Sequence, residues 1–240
     1  MIPVPTDPSF HHVFDAAAWS AGLAGGWLVY RWRPEVARSP FQKKPGYYLS
    51  LVIGAIIGAY LAGTLAWAPN AILSLSHSIL GALAGAIITV EIYKAAMGVS
   101  GSTGGVFVAP FAIGVVIGRW GCLFAGLRDG TYGTPANLPW TVNLGDHIAR
   151  HPVQIYESLS MLVFLTVYLG GLWANASWAL RRGFHVMVVY YAVQRFVWEF
   201  LKPYPKLLGP LNLFQLICIG IVIYGCFWIV RRDRRPLSAP

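Results

Sequence analysis

An all-α, polytopic membrane bundle of about seven transmembrane helices is the fold class this sequence predicts, on three observations. The chain is 56% hydrophobic and only 11% charged, against about 25% charged in an ordinary soluble domain. A water-soluble protein of this length has no interior large enough for so much apolar surface, so lipid is its natural solvent. The apolar residues fall into seven segments, each near the roughly 20 residues needed to cross the hydrocarbon core. Finally, Lys and Arg are distributed unequally between the two sides of those segments.

The segments run over 14–30, 46–68, 71–93, 104–124, 153–174, 184–202 and 211–230. One side collects twelve basic residues: Arg31, Arg33, Arg38, Lys43, Lys44, Lys94, Arg181, Arg182, Arg231, Arg232, Arg234 and Arg235. The other receives four, Arg128, Arg150, Lys202 and Lys206. Because basic loops stay in the cytoplasm, the N-terminus is expected outside and the C-terminus inside. An odd number of spans agrees with that. The formal charge of +9 is therefore read as topology, and a nucleic-acid partner is discounted. Ten Trp, twelve Tyr and twelve Phe suit two membrane interfaces that need aromatic anchors.

A single integral membrane domain, 1–240, is expected, since no repeat, low-complexity tract or second domain interrupts the pattern. Its one long connection is an outer loop at 125–152, where Asp129-Gly130-Thr131-Tyr132-Gly133-Thr134-Pro135-Ala136-Asn137 reads as successive turns. Loops of this length inside compact proteins are often functional. The N-terminal stretch Met1 to Phe14 contains no Lys or Arg and three Pro, so it lacks the basic region of a secretory signal peptide. Cys122, Cys218 and Cys226 form no close CxxC pair, and neither a disulfide framework nor a metal site nor a cofactor is expected from them.

The functional signal lies in ionisable groups where lipid should be, because a central Arg or Asp costs about 2.5–3.5 kcal/mol even on the lenient insertion scale. Arg119 stands in Gly118-Arg119-Trp120-Gly121-Cys122. Snorkelling to the interface beside Trp120 is one reading. The apolar Leu123 and Phe124 that follow favour a functional one, and Gly118 and Gly121 permit close approach of a helix or ligand. Tyr191, Arg195 and Glu199 recur at intervals of four, which stacks them on one helix face. The pair can neutralise itself, or it can form a prepared anion site extended by Lys202. His77 lies near the outer start of the third span, as either an interhelical hydrogen-bonding group or a proton acceptor. In His151-Pro152-Val153-Gln154-Ile155-Tyr156-Glu157, Pro152 suits a first helical turn. Gln154 and Glu157 are read there as groups that satisfy free backbone N–H donors. Glu91 is expected to partner Lys94 or water. Two arginines and a histidine near one membrane face suggest an anionic lipid headgroup beside a base.

These blocks resemble the prolipoprotein diacylglyceryl transferase family. The resemblance spans His77 to Gly81, Gly118 to Gly121, Tyr132 to Pro135 with Leu138-Pro139-Trp140, Arg150 to Glu157, Tyr191 to Glu199 and Leu211 to Gln215. It is specific in the order and spacing of the blocks rather than in any one of them. It implies transfer of the diacylglyceryl group of phosphatidylglycerol to the thiol of a lipobox cysteine in a prolipoprotein, in the bacterial cytoplasmic (inner) membrane. By the same resemblance Arg119 and Arg195 hold the phosphate, Tyr191 positions lipid, His77 is the base and Glu199 orients Arg195. His151, Gln154 and Tyr156 count as substrate-side support.

Departures concentrate on the acceptor side. Where members typically read Gly-Arg-x-Gly-Asn-Phe-x-Asn-Gly-Glu, this chain has Cys122, Ala125 and Leu127 at the two Asn and the Glu positions. Asp129 is the candidate replacement for the lost acid. The typical His-Gly-Gly-Leu becomes His77-Ser78-Ile79-Leu80. Two alternatives to the lipobox thiol reaction stay open: a paralogue with another acceptor, including a covalent variant at Cys122, and a non-catalytic phospholipid-binding or transport protein.

Overall fold

In the computed structural model, residues 1–37, 44–67 and 75–231 are described. Arg38, Lys43, Arg232, Arg234, Arg235 and the expected start of the third span at 71–74 lie outside them. Seven long helices lie among the described residues: α1 (Ser9–Trp32), α2 (Pro45–Leu65), α3 (Ile79–Ala96), α4 (Val108–Ala125), α5 (Val153–Trp173), α6 (Ser177–Trp198) and α7 (Leu213–Val230). Five of them, α2, α3, α4 with its flanking turns, α5 and α7, are long and apolar enough to cross a membrane. Helices α1 and α6 are more polar, since α1 starts with His11, His12 and Asp15 and α6 carries Arg181, Arg182, His185 and Arg195.

Packing runs in the order α2, α3, α7, α6, α5, α4, α1. Glycine makes the first of these contacts possible. An added Cβ at Gly85 would stand 2.1 Å from the Gly54 carbonyl oxygen, and one at Gly58 would stand 2.2 Å from that of Gly81. The two backbones touch through Gly-x-x-x-Gly pairs on both helices, the close approach that lets helices associate where no hydrophobic force drives them together. On the other flank a Cβ at Gly121 would lie 2.7 Å from Phe14 Cβ. The approach that Gly121 permits is thus taken by α1 rather than by a ligand.

Helix ends correct several boundaries. Helix α3 begins at Ile79, capped by Ser78, whose Oγ accepts from the Gly81 amide at 3.4 Å. This explains Ser in place of Gly after His77, and it leaves His77 exposed just ahead of the helix. Helix α7 starts with a reciprocal capping box, Asn212 Oδ1 accepting from Gln215 N and Gln215 Oε1 accepting from Asn212 N, each at 2.9 Å. Helix α4 stops because Gly126 takes φ 71°, a conformation that favours glycine.

The 125–152 connection is ordered by short backbone ladders. Strand β1 (Ile2–Pro3) pairs in parallel with β2 (Val142–Asn143). Arg150 bridges to both Pro135 and Val142, and the Thr134 amide donates to the Leu201 carbonyl at 2.7 Å. Arg150 Nη2 donates to Asp146 at 2.6 Å, and this bond holds the Asp146 carboxyl below the usual carboxylate range. A hairpin of β3 (Lys206–Leu208) and β4 (Leu211–Asn212) leads into α7.

Candidate functional site

One buried carboxylate organises the centre of the bundle. Glu157, on α5, is fully buried and takes three cations from three directions. Arg119 Nε of α4 and Lys202 Nζ pair with it directly, and Arg195 Nη1 of α6 donates to both of its oxygens at 3.0 Å. A second buried carboxylate closes the network: Glu199 Oε1 lies 2.6 Å from Arg195 Nε and 3.2 Å from Lys202 Nζ. Its other oxygen accepts from Asn212 Nδ2 at 3.0 Å. The helix cap of α7 thereby fixes the site. Desolvated ion pairs of this kind persist only where the geometry satisfies them.

Three cations against two carboxylates leave one buried positive charge unbalanced. Arg119 Nη2 and the Tyr191 hydroxyl are buried without a hydrogen-bond partner among the described residues, and Tyr191 lies within electrostatic reach of Arg119, Arg195 and Glu157. Unpaired buried donors are costly. A net positive centre with spare donors is suited to an anion that brings its own acceptors. Tyr191 is held by edge-to-face packing on Phe111, ring centroids 4.9 Å apart.

The expected residues divide into three groups. Tyr191, Arg195 and Glu199 share one side of α6 and the turn after it, and Arg119 of α4 joins Arg195 through Glu157 of α5. His77 and Asp129 instead gather around His11. The His11 and His77 ring centroids are 6.2 Å apart, and His11 Nε2 lies 3.0 Å from Asp129 Oδ1. His151 and Tyr156 form a separate aromatic group: Trp140 Nε1 donates to the Tyr156 hydroxyl at 2.8 Å, and Tyr156 packs on Trp198 with centroids 5.2 Å apart. Gln154 is buried, and its side-chain amide has no partner among the described residues.

Several sequence readings are corrected here. Arg119 does not snorkel: it is buried and aimed at α5. Gln154 and Glu157 do not cap α5, whose N-cap is Pro152 with no side-chain cap bond. Glu157 lies more than one turn in, where N–H groups are already paired. Its ionic role was missed because its partners are distant in sequence; an uncompensated Glu in an apolar helix was the available signal. Lys202 is a buried member of the network and pairs with both Glu157 and Glu199. Glu91 pairs with Lys94 at 2.8 Å as expected, and also accepts from the Tyr224 hydroxyl at 2.8 Å.

A cleft of about 480 Å³, none of whose lining residues belongs to the network, lies between α4, α5 and the β1–β2 ladder. Its lining is almost wholly apolar and includes Val4, Trp120, Leu123, Phe124, Ile155 and Leu159. Trp120 is fixed there by Nε1 donating to Ser158 Oγ at 3.1 Å.

A family model for prolipoprotein diacylglyceryl transferase matches residues 14–231. A phosphatidylglycerol–prolipoprotein diacylglyceryl transferase of Gloeobacter violaceus is 30% identical over 239 residues, 89% of this chain and 86% of that one. One of the same name from Rhodospirillum rubrum is 27% identical over 254 residues, covering 94% and 90% of the two chains. The match to the Finegoldia magna relative, 33% identical over 136 residues, takes in 56% of this chain and spans only about half, 52%, of that relative. No solved structure matches the chain. The extent of the family match places this multi-pass membrane protein in the prolipoprotein diacylglyceryl transferase family.

Proposed function

We propose that this protein transfers the diacylglyceryl group of phosphatidylglycerol, or a related anionic phospholipid, to the cysteine thiol of a lipobox prolipoprotein. The observation that carries this reading is the buried, net positive network of Arg119, Glu157, Arg195, Glu199 and Lys202. A separate apolar cleft, lined by Trp120, Leu123 and Phe124 of α4 and Ile155 and Leu159 of α5, suits acyl chains. Arg119 and Arg195 bind the lipid phosphate, and Tyr191 donates to it. Glu157 and Glu199 are positioning residues that hold the guanidinium planes. Asp129, His151, Gln154 and Tyr156 are assigned to the acceptor side, and exposed His77 to the base at the mouth.

In the reaction the thiol sulfur attacks the glycerol carbon that carries the phosphate. The carbon–oxygen bond breaks, and its electron pair leaves on glycerol phosphate. A base raises the thiolate fraction, and the arginines offset charge as it accumulates on the leaving oxygen. A covalent route through Cys122 runs against this chemistry. A thioether formed there would have to be broken by a second thiol, with a thiolate in place of phosphate as leaving group. Direct transfer follows.

The whole chain is read as one domain in the bacterial cytoplasmic membrane, N-terminus outside and C-terminus inside. The twelve-to-four distribution of basic residues supports that orientation. The outer end then holds the reacting groups, where secreted precursors arrive. The test is incubation of purified protein with phosphatidylglycerol vesicles and a lipobox peptide. A peptide mass raised by one diacylglyceryl group, with matching release of glycerol phosphate, is expected. Lipid consumption without peptide modification would indicate another acceptor. Neither change, under conditions where a relative is active, would leave the protein as a lipid binder or transporter.

A further inference from the structure

Outside the arginine network, three metal-ligating side chains from separate parts of the chain point at one place. His11 comes from the first turn of α1, Cys122 from the last turn of α4 and Asp129 from the turn after it. One ligand atom from each lies within 4.8 Å of the other two. His11 Nε2 is 3.0 Å from Asp129 Oδ1 and 4.0 Å from Cys122 Sγ. In a tetrahedral zinc site, bonds of about 2.0–2.3 Å put neighbouring ligand atoms about 3.3–3.6 Å apart. The two His11 separations lie within about half an ångström of that geometry, and the Cys122–Asp129 pair is held within 4.8 Å.

The far sides of two ligands are already anchored, as metal ligands require. His11 Nδ1 lies 2.8 Å from Asp15 Oδ2, a carboxylate that fixes the ring and leaves Nε2 to face the cluster. Asp129 Oδ2 accepts from Thr131 Oγ1, which leaves Oδ1 turned inward. Arg119 Nη1 lies 3.7 Å from Cys122 Sγ, so the cluster and the proposed phosphate site share one wall.

We propose that His11, Cys122 and Asp129 form a three-ligand zinc site whose open fourth position binds the acceptor thiol as thiolate. The ion thereby activates the nucleophile of the lipid transfer. This rests on the proposed function for the reaction itself and adds a metal centre that composition and cysteine spacing did not indicate. Three protein ligands with one open position are the pattern of catalytic rather than structural zinc, and a thiol coordinated to zinc is deprotonated outright. The balance is that of the transfer. The acceptor loses its proton on binding, a sulfur–carbon bond forms and a carbon–oxygen bond breaks. The electron pair leaves on glycerol phosphate, and the released proton passes through exposed His77 to solvent. The substitution of Cys122 and the shifted acid Asp129 become one change, a redesign of the thiol-activating side. The competing arrangement is a protonated His11 ring shared between Asp15 and Asp129, with no ion.

Protein purified without a histidine tag, stripped with a chelator and titrated with Zn²⁺ or Co²⁺ decides between them. About one ion per chain is expected, with a thiolate-to-metal absorption band in the Co²⁺ form. Both should be lost in Cys122→Asn, which restores the residue typical of relatives, and weakened in Asp129→Asn. Thermal melting identifies variants that fold as the parent does. Failure to bind either ion, or undiminished binding by folded variants, overturns the site. For activity, an ordinary thiol is only a few per cent ionised at neutral pH, so stripping should slow transfer about tenfold or more at pH 7, less at pH 9, with recovery on adding Zn²⁺. Full transfer by stripped protein overturns the ion's catalytic part and leaves the transferase reading intact. An ion held by these residues in protein that never modifies the peptide supports the site and overturns the transferase reading.

Discussion

Glu157→Gln removes the charge on which the buried network turns while keeping the shape of the side chain. Glu157 meets Arg119, Arg195 and Lys202, so the substitution raises the unbalanced buried charge from one positive to two. Glu199 still pairs with Arg195 and Lys202, and Arg119 is the cation left without a carboxylate. Removing one member of a buried pair costs about 3–5 kcal/mol. The low end applies, since two of the three cations keep a partner and the amide oxygen still accepts. About 3 kcal/mol corresponds to a fall of about 6–12 °C in melting midpoint for a protein of this size. Melting followed by tryptophan fluorescence in detergent measures it, with Asp146→Asn at the loop ion pair as a control expected to change stability by no more than about 1 kcal/mol. A Glu157→Gln midpoint within 2 °C of the parent would refute the assignment of Glu157 as the network's anchor.

Other substitutions separate stability from chemistry. Arg119→Lys keeps the charge but loses the guanidinium fork needed to meet Glu157 and a phosphate together, so kcat/KM in the peptide assay should fall about 100-fold or more. Tyr191→Phe removes a hydroxyl that has no partner among the described residues; melting should be unchanged or raised by up to about 1 kcal/mol in stability while lipid transfer falls. A drop in both would mark that hydroxyl as structural. Gly85→Leu places a side chain where even a Cβ meets the Gly54 carbonyl at 2.1 Å, so α2 and α3 should separate, at a cost of about 1–3 kcal/mol or more, read as lost folded yield in detergent. An undisturbed yield would contradict the backbone contact between these helices.

Five of the seven helices were legible because apolar length is a local property that each of them carries without reference to its neighbours, and the more polar α1 and α6 were legible from the same pattern less sharply. Arg195 and Glu199 were equally legible, since a spacing of four fixes their relation within a single helix. Glu157 was not, because 38 residues separate it from Arg195 and only the packing of α5 between α4 and α6 makes them partners. His11 was hidden for a related reason. It sits in a polar N-terminal stretch with no motif around it, and its meaning comes from Cys122, 111 residues away. The helical part of the third span begins at Ile79 because the Ser78 hydroxyl caps it, although apolar Leu75 precedes that cap. The residues of the proposed phosphate site accordingly come from α4, α5 and α6 with the turn after α6.

The most direct test of the phosphate assignment is a structure of the protein bound to phosphatidylglycerol in lipid nanodiscs. The expected result is one phosphate within hydrogen-bond distance of both Arg119 and Arg195, with Tyr191 donating to it and the acyl chains in the cleft beside Trp120 and Ile155. A headgroup bound elsewhere, with Arg119 and Arg195 still turned wholly onto Glu157 and Glu199, would contradict it.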